Sequence, residues 1–436
     1  MQERFGTKTV FDSVKGCEMM ANFLIEGENR IGGGLPIHGA KNAALPILAA
    51  ALLPRRSVLH NCPDLSDVRA AAHILEHLGC TVEREGDTVI VESDDGVYCD
   101  IPDGLMREMR SSVVFLGAIL TRCGRARVSF PGGCELGPRP IDIHLASLER
   151  MGVNIKEDHG DLDCTIDGKM VGTELNLPFP SVGATENILL AAVLAEGTTV
   201  IHNAAREPEI QDLAGFLTAI GAKIHLKNDG TIVVEGVETL LPEVEYRVIP
   251  DRIATATYLC AAAATGGELL VTKTEPEYLA AVLPMFEEMG CQVKTGPDLI
   301  YLKGPRRLRP VRMVRTMPYP GFPTDAQAPF MALSTLAQGT SVFVENIFES
   351  RYKHAAELMR MGARIKVEGR VAVVEGVPAL HSAQVRCTDL RGGAALCIAA
   401  LAAAGVSRVS DIAHIERGYE RLEEHLSSLG AKITRE

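Results

Sequence analysis

One pattern recurs six times along the 436 residues and restricts the fold more than any other feature of the chain. It consists of an amphipathic helix, then an apolar residue, a glycine and a small residue, then an alternating hairpin. The first three copies are AAHILEHLGCTVEREGDTVIVES, HLASLERMGVNIKEDHGDLDCTIDG and LAGFLTAIGAKIHLKNDGTIVVEG. VLPMFEEMGCQVKTGPDLIYLKG, AELMRMGARIKVEGRVAVVEG and LEEHLSSLGAKITRE follow. The anchoring glycines are Gly79, Gly152, Gly221, Gly290, Gly362 and Gly430, at steps of 73, 69, 69, 72 and 68 residues. Such a step marks an internal repeat. A glycine just past the last apolar helical residue suits the left-handed position that ends a helix. The alternation after it predicts a half-buried strand.

A second element lies between the hairpins. AKNAALPILAAALL, MRSSVVFLGAILTRCG, GATENILLAAVLAEG, DRIATATYLCAAAATGG, TDAQAPFMALSTLAQG and TDLRGGAALCIAALAAAG are alanine-rich helices without a polar face. A helix apolar all round is buried in a domain or a bilayer, and these are too short to span a bilayer. Each therefore reads as the buried helix of one α/β unit. The sixth unit ends after one hairpin strand, LGAKITRE, and the segment ANFLIEG near the N-terminus reads as its missing partner. The chain then crosses between two domains near residues 40 and 250. The expected division is 21–40 plus 251–436 as one domain and 41–250 as the other. Residues 1–20 fall outside the scheme as a flexible extension. Gly32-Gly33-Gly34 reads as a turn.

A net charge of −12 speaks against nucleic-acid or anionic-membrane binding, which both need a basic face. Eleven cysteines without metal-ligand spacing fit a reducing compartment, and the first twenty residues lack the apolar core of a signal peptide. The expectation is a cytoplasmic protein with neither metal nor cofactor. No GxxxxGK[ST] and no strand-linked GxGxxG supports a nucleotide-binding fold.

Repeats alone fit a protein-binding solenoid as well as an enzyme, and the starts of the buried helices separate the two. The first opens on Lys41-Asn42, the second on Arg110, the fourth on Asp251-Arg252, the fifth on Asp325 and the sixth on Asp389 with Arg391. Asp and Asn there can be ordinary caps. Lysine and arginine oppose the helix dipole, so several at equivalent positions point to an anion bound among them. The loop PGGCELGPRPIDIH carries Cys134, Arg139, Asp142 and His144, while FESRYKH and IERGYE place Arg351 and Arg417 at matching helix starts.

GAKNAALPILAAALL, PGGCELGPRPIDIH, SVGATENILLAA, NAAREPEI, PYPGFPTDAQ, IFESR, TDLR and RGYE together resemble the UDP-N-acetylglucosamine 1-carboxyvinyltransferase family, from about residue 21 to the last helix. The resemblance implies two similar domains, each an inside-out α/β barrel of three units, with the active site in the interdomain cleft. It implies transfer of the enolpyruvyl group of phosphoenolpyruvate to the 3-hydroxyl of UDP-N-acetylglucosamine by addition–elimination, with release of phosphate. By the same resemblance Cys134 is the acid that protonates the methylene and Asp325 the base at the sugar hydroxyl, with Lys41 and Arg417 also catalytic. Phosphoenolpyruvate would meet Lys41, Asn42, Cys134, Arg139, Arg391 and Arg417. UDP-N-acetylglucosamine would meet Asn42, Arg110, Arg139, Pro140, Ile141, Asp142, Ile143, Asp325 and Ile347. Arg351 and Asp389 look like supporting residues. Some members carry a lysine two residues before the serine of SVG, where this chain has Phe179. Two alternatives stand beside this reading: the related enzyme that acts on shikimate 3-phosphate, and a catalytically idle paralogue that only binds the UDP-sugar.

Overall fold

The protein is described by a computed structural model that covers residues 21–94, 96–109, 111–129 and 141–436. Residues 1–20, expected to form an extension, lie outside the described residues.

The six repeat glycines all take positive φ, between 90° and 98°. A side chain is strained in that conformation, which is why the glycine is kept. Each unit contributes one four-stranded sheet, and all six sheets have the same plan. A short edge strand runs parallel to the strand that follows the buried helix. That strand pairs antiparallel with the second arm of the hairpin, and the first arm forms the other edge. In the second unit these strands are Asp100–Ile101, Arg125–Ser129, Asp161–Ile166 and Val153–Asp158.

Three of the six sheets borrow strands from far along the chain. The sixth unit takes Phe23–Glu26, which lies between Val406–Ser410 and Lys432–Arg435 and pairs antiparallel with both. The fourth unit takes Gly32–Pro36, parallel to Glu268–Thr272. The turn expected at Gly32-Gly33-Gly34 is therefore corrected to an edge strand. A Cβ on Gly32 would stand 2.8 Å from the carbonyl oxygen of Glu268, so glycine permits the close approach. In the first unit, Glu243–Arg247 pairs parallel with Arg56–His60 and closes the first three units on themselves.

The six alanine-rich helices form the inside of the molecule. Lys41–Ala50, Phe115–Cys123 and Val182–Ala192 belong to one hydrophobic core, built from residues between Ala40 and Val248. Arg252–Ala264, Thr324–Ser334 and Leu390–Ala402 belong to another, built from Phe23–Ile37 together with residues from Ala254 to Ile433. Sheets surround helices, so the fold is α/β with two inside-out, three-unit domains. Small side chains bring the helices close: a Cβ on Gly117 would lie 2.4 Å from the carbonyl oxygen of Asn187 on the neighbouring helix. Two crossings tie the halves together. Gly39 and Pro250 bridge antiparallel, the Ala40 N–H donates to Ile249, and the Asp251 N–H donates to His38. Among the described residues no helix is long and apolar enough to cross a membrane.

Candidate active site

The starts of the buried helices differ in what their charged residues do. Asp251 and Asp389 are caps: Asp251 accepts from the N–H groups of Ile253 and Ala254, and Asp389 from those of Arg391 and Gly392. Each satisfies donors that a helix start leaves open. Lys41 and Asp325 are not caps, since Lys41–Ala50 and Thr324–Ser334 have no side-chain cap. Their side chains are left to make other contacts.

Asp325 holds two arginines from the starts of two other elements. Arg351 Nη2 donates to its Oδ1 at 2.7 Å and Arg391 Nη2 to its Oδ2 at 3.1 Å. The Arg391 guanidinium is buried and lies 5.1 Å from the centre of the Tyr419 ring, a stacking that suits a desolvated cation. Burial alone would raise the Asp325 carboxyl, but Arg391, Arg351 and Lys41 overcome it and hold it far below the usual range. It is ionised at neutral pH.

A second carboxylate, Asp67, does the same for Lys41 and Arg417. Lys41 Nζ lies 3.1 Å from Asp67 Oδ2, and Arg417 donates to both carboxylate oxygens at 2.9 and 3.2 Å. Asp67 and Lys41 belong to the segment that builds one core, whereas Arg417 comes from the last unit of the other. Burial lowers the lysine, with Arg391 and Arg417 acting in the same direction and Asp67 and Asp325 opposing them. Burial would raise Asp67, but its two cationic partners keep it below its ordinary value. Four cationic side chains, Lys41, Arg351, Arg391 and Arg417, thus share two carboxylates between the halves. That arrangement has capacity for further negative charge.

Asp67 does not stand out in the sequence. It lies on one helical face with Ala71 and Ile74 in an otherwise amphipathic helix, Ser66–His77, and is 2% exposed. An acid on the apolar face is the available signal. Glu345 is equally silent in the sequence. It is buried and accepts from Thr316 Oγ1 at 2.9 Å, Thr324 Oγ1 at 3.0 Å, and the N–H groups of Ile347 and Phe348 at 2.9 and 3.1 Å. One carboxylate thereby fixes both the helix start that carries Asp325 and the backbone at Ile347.

Of the other sequence candidates, Ile141, Asp142 and Ile143 lie at the start of the helix Asp142–Arg150. Asn42 follows Lys41 in the first buried helix. No hydrogen bond or ion pair among the described residues joins Asn42, Asp142, Ile143 or Ile347 to the cluster of Lys41, Asp67, Asp325 and the three arginines. Cys134, Arg110, Arg139 and Pro140 lie outside the described residues. Phe179 is 42% exposed, just before the Ser181 cap of the helix Val182–Ala192.

The family pattern of EPSP synthase (3-phosphoshikimate 1-carboxyvinyltransferase) matches residues 25–426. A protein of Caldanaerobacter subterraneus subsp. tengcongensis named UDP-N-acetylglucosamine 1-carboxyvinyltransferase 2 is 51% identical over 95% of this chain and 100% of its own length. The UDP-N-acetylglucosamine 1-carboxyvinyltransferase of Acinetobacter baylyi is 47% identical over the same shares. This chain belongs to the UDP-N-acetylglucosamine 1-carboxyvinyltransferase family. Among solved structures, the enolpyruvyl transferase NikO of Streptomyces tendae superposes with a TM-score of 0.86 at 27% identity, over 95% of this chain and 99% of that one. EPSP synthase of Acinetobacter baumannii gives 0.73 at 17% identity, over 96% and 100%, and shares the fold. The cation-rich junction between the halves is thus built on a scaffold common to enolpyruvyl transferases.

Proposed function

We propose that this protein transfers the enolpyruvyl group of phosphoenolpyruvate to the 3-hydroxyl of UDP-N-acetylglucosamine and releases phosphate, the first committed step of peptidoglycan synthesis, in the cytoplasm. The observation that carries the reading is the cluster of Lys41, Arg351, Arg391 and Arg417 around Asp325 and Asp67. Both substrates are anionic, and a desolvated group of cations binds them where charge develops in the transition state. The cleft lies between domains formed by 21–40 plus 251–436 and by 41–250.

In this reading the sugar hydroxyl attacks C2 of phosphoenolpyruvate while C3 takes a proton, giving a tetrahedral phospho-ketal. Loss of phosphate and of a C3 proton then restores the double bond. Cys134 donates the proton to C3. A thiol, with an ordinary pKa of about 8.5, is largely protonated at neutral pH and can serve as an acid. Asp325 accepts the proton of the hydroxyl. Its two guanidinium partners weaken it as a base, and engagement of Arg391 by phosphoenolpyruvate relieves that restraint. Lys41 and Arg417 hold the phosphate and carboxylate, exchanging part of their contact with Asp67 for the substrate. Asn42, Arg139 and Arg391 complete the phosphoenolpyruvate site. Arg110, Arg139, Pro140, Ile141, Asp142, Ile143 and Ile347 hold the nucleotide sugar, with Phe179 offering a ring where other members offer a lysine. Arg351 and Asp389 position Asp325 and Arg391 respectively.

Cys134→Ser should abolish phosphate release from phosphoenolpyruvate in the presence of UDP-N-acetylglucosamine. Cys134→Asp should retain turnover and escape alkylation by the epoxide fosfomycin. Full turnover in the serine variant would remove Cys134 from the role of acid.

A further inference from the structure

Nine cysteines fall among the described residues, and seven of them are buried. The two that are not, Cys99 and Cys123, are neighbours in the second unit, away from the cleft. Cys99 immediately precedes the edge strand Asp100–Ile101, and Cys123 ends the buried helix Phe115–Cys123. The Cys123 thiol faces the carbonyl oxygen of Tyr98 at 3.9 Å, on the peptide group that also holds the Cys99 nitrogen. Both cysteines line one cavity of about 290 Å³ together with Val97, Arg122 and Arg125. Arg122 is tied to the Asp94 carbonyl oxygen at 3.1 Å, so part of the cationic lining is fixed in place. Burial and Cys99 raise the Cys123 thiol above its ordinary value, while Arg122 and Arg125 favour its thiolate.

A solvent-accessible thiol beside cations can attack a small disulfide, and a second thiol within reach can resolve the adduct. We infer that Cys99 and Cys123 form a paired-thiol modification site, which takes an anionic low-molecular-weight disulfide and closes to an internal disulfide. Cys123 loses its proton and attacks one sulfur of the small disulfide, forming a mixed disulfide and expelling one small thiolate. Cys99 loses its proton, attacks the Cys123 sulfur and expels the second. Two electrons pass from the cysteines to the small disulfide, and its two halves leave as thiols once reprotonated. Arg122 and Arg125 supply the selectivity, because their guanidinium groups favour carboxylate-bearing reagents over neutral ones. The cross-link would tie the end of a buried helix to a sheet edge.

The test treats the folded, full-length protein with glutathione disulfide, alkylates remaining thiols and maps the peptides by mass. The expected product is a Cys99–Cys123 cross-link that dithiothreitol reverses. Cys99→Ser should trap glutathione on Cys123. Arg125→Glu should slow the reaction several-fold with glutathione disulfide, but not with the neutral bis(2-hydroxyethyl) disulfide. Recovery of Cys99 and Cys123 as separately alkylated thiols would overturn the site, as would a wild-type glutathione adduct that never closes. An equal effect of Arg125→Glu on both reagents would overturn the selectivity for anions.

Discussion

Asp67 shows how much a single side chain can carry when its partners are remote in sequence. It meets Lys41 from 26 positions away and Arg417 from 350 positions away. Lys41 is legible as a candidate because a cation at a helix start contradicts the dipole, which is a local signal. Arg417, expected at a helix start too, instead ends the short helix Ala413–Glu416, where a cation agrees with the dipole, so only the RGYE resemblance marks it. Asp67 breaks no local rule except burial, and burial is set by the tertiary fold. Replacing it with asparagine leaves two cations facing each other without a counter-charge. Asp67→Asn is expected to lower the free energy of unfolding by about 3 kcal/mol, the lower end for breaking a buried pair, because Lys41 and Arg417 keep some solvent contact. Phosphoenolpyruvate should narrow that deficit in denaturant unfolding by restoring negative charge. A variant as stable as wild type would contradict the role given to Asp67.

His144 gives a pH signature at the same scale. Its Nδ1 accepts from Asn187 Nδ2 at 2.9 Å, and burial pushes the ring down to about 4, with Asp142 opposing. The unfolded chain, with histidine near 6.5, binds the proton first as pH falls. Stability from this group is therefore complete above about pH 6.5 and is lost as pH drops towards 4, by up to about 3 kcal/mol. His354, also pushed down to about 4 by burial, acts in the same direction. Unfolding free energies at pH 7 and pH 5 should differ less in His144→Gln than in wild type. An unchanged difference would show that His144 does not titrate in this range.

Elements are most legible where their signal is self-contained. Alanine-rich runs without a polar face identify six buried helices, and the glycine after each amphipathic helix locates its end. Gly32–Pro36 reads as a turn because its strand partner, Glu268–Thr272, belongs to the fourth unit. Three adjacent glycines give no apolar alternation from which to read a strand. Helix packing also depends on residues whose importance is tertiary. At Gly117 the obstacle to a side chain is the backbone of Asn187, 2.4 Å from where a methyl carbon would stand, and backbone cannot rotate away. Gly117→Ala should destabilise the fold by about 1–3 kcal/mol through overpacking, despite the higher helix propensity of alanine. Thermal or denaturant unfolding reads this directly, and a stabilised variant would mean that the two helices separate at little cost.

For the whole molecule, two sets of three units leave charged helix starts and loops to meet at their junction. That junction also holds a buried pair: Arg252 Nε and Nη2 lie 3.0 and 3.2 Å from the Glu209 carboxylate, and the Tyr319 N–H donates to Glu207 at 3.2 Å. The repeat reveals the architecture but cannot distinguish an enzyme from a scaffold. In the proposed reaction the residues gathered at the helix starts supply the charge, while Cys134, Arg110, Arg139 and Pro140 are assigned through family resemblance. Domain closure around the nucleotide sugar would complete the site in the proposed reaction. The most direct test is phosphate release from phosphoenolpyruvate with each of two acceptors. Rapid release with UDP-N-acetylglucosamine and none with shikimate 3-phosphate is the predicted result; release with shikimate 3-phosphate alone would contradict it.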